Sequence, residues 1–325
     1  PPSPPPAPPP PSAPPGFPPV GPCVVTAGNG ESVELSFDSA TMSTSNLGGQ
    51  GGEEPTTDAT PPVLHYAGVG TLADGTVVDL VVSNETAYAA FKPTENGLVH
   101  MAGGSFGAVN LQAPDGDSSE LSTFVQLRYT FVDGSSGLPL TLDRTYITFY
   151  DSDDNRQSVH ECLQAKGGIV HTDMTDDTEL QELDPSSAAL PDGLAPWAAG
   201  VDGASAYLCS STLGVGKDNP ASPADQTDQQ QARSVMFTFD DVSSFEVRLV
   251  LKGAGTGNGR NFMFAGHSDV VLLPCGLPPP SLPPSSPPSP PPLQPPPLVP
   301  PPSVPPPAHP PPAPPFMPPS MPRNL

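Results

Sequence analysis

Hydrophobic and polar residues alternate along several stretches between residues 23 and 275. Val125, Leu127, Tyr129 and Phe131 alternate with polar residues, and a period of two is typical of a strand with one buried face. Similar segments predict about twelve short strands, which argues for an all-β domain, an antiparallel β-sandwich of the Ig-like or jelly-roll kind. The predicted strands cover 33–37, 76–82, 86–91, 105–111, 125–131, 138–150, 167–172, 203–209, 235–239, 245–251, 261–265 and 268–273.

Helix is expected only in short pieces, around residues 178–183 and 227–232. Turn-forming Gly, Asn and Asp residues, as at Asp74-Gly75 and Asp133-Gly134, separate the predicted strands.

Proline divides the chain into three parts. Of the 53 prolines in 325 residues, 14 lie in residues 1–22 and 27 in residues 276–325. Proline fixes φ and donates no backbone hydrogen bond, so neither helix nor sheet is expected there. The remaining conformation is polyproline II, which rises about 3.1 Å per residue. The predicted organisation is a polyproline II arm at 1–22, a β-sandwich domain at 23–275 and a second polyproline II arm at 276–325.

The domain between the arms is strongly acidic. It holds all 34 Asp and Glu residues of a chain with a net charge of −23, whereas the only charged residue of the arms is Arg323. Such a domain repels phosphate groups, so binding to nucleic acid or to anionic membranes is not expected. No apolar run reaches 18 residues, so membrane insertion is not expected either. The start at Pro1 without a Met suggests a processed product or a segment of a longer polypeptide.

Four cysteines, Cys23, Cys162, Cys209 and Cys275, lie far apart without a C-x-x-C pair. An even number at such spacing favours two disulfides formed in an oxidising compartment, with three possible connectivities. Cys23 and Cys275 stand at the two composition boundaries, so we expect them to pair, which leaves Cys162 with Cys209. The N-glycosylation sequence at Asn84 agrees with an extracellular location.

An acidic segment follows the predicted strand that ends at Tyr150. Asp151, Asp153 and Asn155 stand at alternate positions, and Glu161 lies nearby. Carboxylate and amide oxygens suit Ca²⁺, which takes six to eight oxygen ligands. The segment departs from an EF-hand loop because an arginine stands where glycine is required. We therefore predict a Ca²⁺ site at Asp151, Asp153, Asn155 and Glu161, with a metal-free acidic surface turn as the alternative.

The sequence offers little support for catalysis. It contains no H-E-x-x-H and no phosphate-binding G-K-[ST] sequence, and an enzyme is not expected. The single tryptophan, Trp197, is a candidate for stacking on a sugar ring, and a core position under a loop is the alternative.

Ser-Pro-Pro units repeat in both arms, as at Ser3 and Ser289. They resemble the hydroxyproline-rich glycoproteins of green-algal and plant extracellular matrices. The resemblance implies hydroxylated prolines with arabinose-rich chains, and sugars on nearby serines, which would stiffen polyproline II. The implied modification sites are Ser3, Ser12 and Ser289 with Pro4, Pro5, Pro6, Pro8, Pro9, Pro10, Pro283, Pro284, Pro287, Pro288, Pro290, Pro291, Pro292, Pro295, Pro296 and Pro297.

Five segments of the domain look like a pattern in secreted surface proteins of algae and other protists: residues 149–153, 209–220, 227–230, 233–235 and 260–266. Together with the arms, they make the chain similar to the axial glycoproteins of green-algal flagellar mastigonemes. That resemblance implies a structural extracellular glycoprotein on the flagellar surface. Its implied partners are a mastigoneme-like glycoprotein and further segments of the same polypeptide. Cell-wall pherophorin-like proteins are the nearest competing family, and a Ca²⁺-dependent adhesion or glycan-binding module is the alternative function.

Overall fold

The computed structural model describes residues 32–52, 57, 59–154, 159–183, 197, 203–214 and 218–266. Both proline-rich arms, the predicted strand 268–273 and the predicted Cys23–Cys275 pair lie outside the described residues. All structural statements below concern the described part.

One sheet has eight antiparallel strands, and its central members carry the alternating sequences. Strand β8 lies between β15 and β4, and its residues Val125, Leu127, Tyr129 and Phe131 are all buried. The alternation therefore marks the face turned towards the core. The order across the sheet is β12 (Leu180–Leu183), β13 (Tyr207–Ser210), β10 (His160–Lys166), β15 (Ser244–Lys252), β8 (Ser122–Asp133), β4 (Val77–Asn84), β3 (Val63–Thr71) and β2 (Thr41–Ser45).

The second sheet has seven strands, and strand β9 is its central member. Six strands pair antiparallel, and the two-residue strand β1 (Ser32–Val33) pairs parallel with β9. The order across this sheet is β11 (Ile169–Asp173), β14 (Val235–Val242), β9 (Leu142–Tyr150), β17 (Gly259–Ala265), β6 (Gly104–Gln112) and β5 (Gly97–Met101). A separate short ladder joins β7 (Asp115–Gly116) to β16 (Gly255–Thr256).

Aromatic side chains from both sheets form the centre of the core. The ring of Phe264, on β17, lies edge-on against Tyr129, on β8, with 5.3 Å between ring centroids. Tyr129 in turn stacks on Phe245, at 4.9 Å. The contact between Phe264 and Tyr129 joins the facing sheets, and the predicted all-β sandwich is confirmed.

The helix predicted at 227–232 is confirmed as α1 (Asp228–Ala232). Thr227 caps it, because its side chain accepts from the Gln230 backbone N–H while the Gln230 side chain accepts from the Thr227 N–H. The helix predicted at 178–183 is wrong, since Leu180–Leu183 is strand β12 and pairs with β13. Cross-strand hydrogen bonding to Tyr207–Ser210 determines the conformation of this segment and overrides its local propensity.

The strand predicted at 86–91 is also wrong. This segment forms no ladder, and side chains supply several of the hydrogen bonds of its backbone. The Gln50 amide donates to the Tyr88 carbonyl at 2.5 Å and accepts from the Ala90 N–H at 3.0 Å. Sequence periodicity also misses strands β2, β3, β5 and β10.

A disulfide joins Cys162 on β10 to Cys209 on β13. The two residues stand directly opposite each other in the antiparallel ladder, so the bond ties adjacent strands near one edge of the eight-stranded sheet. This predicted pairing is confirmed.

In the described part, no helix has the length and apolar character that crossing a bilayer requires.

Candidate metal centre

The acidic segment predicted from the sequence leaves the seven-stranded sheet at the end of β9. Asp151 begins it with a positive φ of 59°, a conformation that aspartate tolerates better than most residues. Two backbone hydrogen bonds then hold the segment in place. The Ser152 N–H donates to the Arg233 carbonyl at 3.0 Å, and the Asp154 N–H donates to the Thr212 carbonyl at 2.8 Å. The loop is therefore fixed by segments that are distant in sequence.

Three carboxylates meet beside this segment. Asp151, Asp153 and Asp218 each offer an oxygen, and the three oxygens lie within 4.8 Å of one another. Asp151 is 8% exposed and Asp153 is 3% exposed, while the side chain of Asp218 is 6% exposed. Carboxylates this close and this buried repel one another unless a positive charge or a proton compensates them.

Two arginines supply part of that compensation. The Arg233 guanidinium donates to Asp153 at 3.4 Å, to Glu179 at 2.6 Å and to Asp218. Its side chain is only 3% exposed, so these contacts form away from bulk water, where charge-assisted hydrogen bonds are strong.

Arg260 connects the two sheets. It stands near the start of β17 in the seven-stranded sheet and donates through Nε to Glu161, on β10 of the other sheet. Through Nη2 it donates to Asp153. Asp153 therefore receives an arginine on each of its two oxygens. Glu161 is 1% exposed, and its Oε2 is buried without a hydrogen-bond partner.

Burial dominates the protonation of these acids. It raises the pKa of Asp151 to about 7, with the neighbouring Asp153 charge acting in the same direction. It raises the pKa of Glu161 to about 8, against the opposing effect of Arg260. The pKa of Asp153 is also raised by burial, whereas the Glu161 carboxylate raises the pKa of Arg260. Asp151 and Glu161 therefore keep their protons up to near-neutral pH unless further positive charge reaches the cluster.

A cavity of about 240 Å³ opens next to the carboxylates. Asp151 and Asp153 line it together with Asn219, Arg260 and Asn261, and Met263 adds an apolar side. Gly214 is needed at its wall, because a Cβ at this position would lie 1.7 Å from the Asp153 Oδ2 atom. The loop that carries Gly214 therefore approaches the carboxylate more closely than any other residue type permits.

A second polar group adjoins the cluster. Asp154 Oδ1 accepts hydrogen bonds from the Ser210 hydroxyl and, at 2.9 Å, from His160 Nδ1. The hydrogen bond to Asp154 raises the pKa of His160. Because Ser210 follows Cys209 directly, the disulfide holds this group against the acidic segment.

The structure brings two of the four predicted Ca²⁺ ligands together. Asp151 and Asp153 belong to the carboxylate group, whereas Glu161 lies beside them with one oxygen on Arg260. Asn155 lies outside the described residues. Sequence reasoning did not assign Asp218, Arg233 or Arg260 to the site. Their only signal was that each falls within a segment of the resemblance pattern, and four of its five segments meet here.

The remaining predicted positions lie elsewhere. Asn84 ends strand β4, half-buried, and its amide donates to the Thr86 carbonyl at 2.8 Å. Trp197 is half-buried, and the Arg248 guanidinium lies 3.8 Å from the centre of its ring. The Lys166 Nζ atom lies 5.6 Å from the same ring centre, so two cationic side chains already lie over the ring. The predicted modification sites on the arms lie outside the described residues.

Comparison with known proteins gives no relative: no protein-family model matches the chain, and a search of curated proteins returns no match.

Proposed function

We propose that this chain is a structural module of an extracellular fibre, in which polyproline II arms supply length and the β-sandwich supplies contacts to other chains. The observation that carries the proposal is a disulfide-linked β-sandwich within a chain that is proline-rich at both ends. Disulfides of this kind form in oxidising compartments, which supports an extracellular location.

The architecture suits a mechanical role. Polyproline II needs no internal hydrogen bonds and stays extended in water, whereas the sandwich buries a continuous aromatic core between two sheets. The resemblance of the arms to hydroxyproline-rich glycoproteins favours the axial fibre of a flagellar mastigoneme, with a mastigoneme-like glycoprotein and further segments of the same polypeptide as partners. A cell-wall fibre of the pherophorin-like kind is the nearest alternative.

Intact-glycopeptide mass spectrometry of the protein from its native source tests this proposal. We expect hydroxyproline carrying pentose chains in residues 1–22 and 276–325, and none on prolines of residues 23–275, which serve as the internal control. Separating flagellar hairs from cell walls before the measurement shows which of the two fibres contains the protein. Unmodified proline in both arms would contradict the proposal and leave a flexible linker around a binding domain.

A second function, a Ca²⁺-dependent adhesion module, is favoured by one observation, the buried carboxylate group beside a cavity. Adhesion would require the ion to order a surface that binds a partner. The cation site itself is argued next, and it does not depend on the fibre function.

A further inference from the structure

The strongest feature of the molecule that the fibre function leaves unused is the carboxylate of Asp151. This side chain is nine-tenths buried, lines the cavity at the end of β9, and has an oxygen, Oδ1, without any hydrogen-bond partner. A buried polar atom without a partner costs about 1–3 kcal/mol, and more when it is charged. Native structures keep such a group mainly where a ligand, an ion or a water satisfies it.

The charges around the cavity indicate the sign of the charge that such a ligand would carry. Among the described residues the network contains five carboxylates, those of Asp151, Asp153, Glu161, Glu179 and Asp218, and two guanidinium groups, those of Arg233 and Arg260. When these carboxylates are all ionised, the described groups carry an excess of negative charge in a region shielded from water. A divalent cation would remove most of it.

The chemistry of the donors selects the class of cation. The converging atoms are carboxylate oxygens, and the cavity wall adds the amide-bearing Asn219. Sulfur and imidazole are not part of the group of three, so a soft or borderline metal such as Zn²⁺ has no preference for it. Oxygen ligands in an irregular arrangement suit Ca²⁺, which accepts six to eight of them with flexible geometry.

The arginine contacts leave room for the ion. A carboxylate has about four lone-pair positions, and Arg233 and Arg260 each use one position on Asp153. Asp151 Oδ1 uses none. The arginines thus hold Asp153 and Asp218 in place, while Asp151 provides the open ligand atom.

We propose that Asp151, Asp153 and Asp218 form a Ca²⁺ site at the edge of this cavity. The site connects the end of β9 to the loop before α1. This ligand set replaces Asn155 and Glu161 of the sequence prediction with Asp218. Because Asp218 is distant in sequence from the other two, the bound ion ties two loops to the sandwich.

Calcium titration of the full 325-residue chain tests the proposal, after removal of divalent ions with EDTA and dialysis. CaCl₂ is the probe, and calorimetry and thermal unfolding are the readouts. We expect a Kd of about 10⁻⁴–10⁻³ M, the range of extracellular sites, and a Tm about 3 °C higher in 10 mM CaCl₂. MgCl₂ should give a smaller shift, since Mg²⁺ demands near-octahedral geometry and gives up water reluctantly.

Two variants locate the site. Asp151→Asn keeps the shape of the side chain and removes its charge, and it should lose the Ca²⁺-dependent Tm shift while unfolding in EDTA at no lower temperature than the unmodified chain. Asp218→Asn should weaken Ca²⁺ binding at least about tenfold, as expected for losing a charged ligand, and it also covers the case in which Asp151→Asn does not fold. Asp117→Asn, an equal charge change at an exposed turn residue, is the matched control and should bind Ca²⁺ like the unmodified chain.

Two results would overturn the proposal. The first is no Ca²⁺-dependent heat or Tm shift in the unmodified chain at 10 mM, a concentration about tenfold above the weakest expected Kd. The second is an unchanged Ca²⁺ response in both Asp151→Asn and Asp218→Asn, which would place any bound ion elsewhere.

Discussion

Arg260 is the residue on which the ionic network between the two sheets depends. It binds Asp153 and Glu161 at once, and Glu161 is almost fully buried. Removing one partner of a buried ion pair is costly because the other charge stays desolvated, whereas an exposed pair contributes little. We therefore expect the loss of Arg260 to cost more stability than the loss of an exposed arginine.

Substituting Arg260→Met should lower the free energy of unfolding by about 3 kcal/mol, measured by urea denaturation in EDTA. Arg128→Met is the matched control, because Arg128 also binds two glutamates, Glu85 and Glu246, but its side chain is 38% exposed. The control should cost less than about 1 kcal/mol.

A double-mutant cycle with Glu161→Gln identifies the cause of that loss. If the uncompensated Glu161 charge is responsible, Arg260→Met/Glu161→Gln should be more stable than the sum of the single changes by about 1 kcal/mol or more. Additive effects would show that Arg260 acts through Asp153 or through packing alone.

At the scale of elements, strand β17 joins the site to the core. It carries Arg260 near its first residue and Phe264 near its last, and Phe264 contacts rings from both sheets, among them Phe37, Tyr129 and Phe149. The position of Arg260 therefore depends on how β17 is packed.

Phe264→Ala should destabilise the protein by about 3–5 kcal/mol, because it leaves a cavity at the centre of the aromatic core. Phe91→Ala removes the same atoms from a side chain that is 43% exposed and should change stability by about 0.5 kcal/mol. Thermal or urea unfolding of both variants measures the difference, and equal losses would contradict the described position of β17.

On the scale of the whole molecule, stability should reside in the sandwich. The described core lies between residues 33 and 265, and proline-rich segments cannot add strands to a sheet interior because they lack N–H donors. A fragment of residues 23–275 should therefore unfold within about 2 °C of the full chain, a difference below about 1 kcal/mol.

Differential scanning calorimetry of the fragment and of the full chain makes this comparison. Removing only residues 276–325 is the control, since it separates the contribution of the longer arm from that of the shorter. A midpoint that falls by more than about 5 °C would show that an arm stabilises the domain by more than about 1 kcal/mol.

The sequence by itself determined the fold class, because a period of two is a local property of the chain. In residues 33–37 that pattern predicts the buried positions correctly but not the extent of the strand. Val33, Leu35 and Phe37 are buried and Glu34 and Ser36 exposed, as predicted, yet only Ser32–Val33 forms a strand. Burial follows the side-chain pattern, whereas strand pairing depends on which partner is within reach.

Only the tertiary structure decided which charged residues meet. Asp151 and Asp153 were recognisable as candidate ligands because they are close in sequence and follow a strand. Asp218, Arg233 and Arg260 come from three other segments, and the packing of the two sheets places them beside Asp153. Local sequence can show that a residue is acidic, but the distance to its partners is a property of the folded chain.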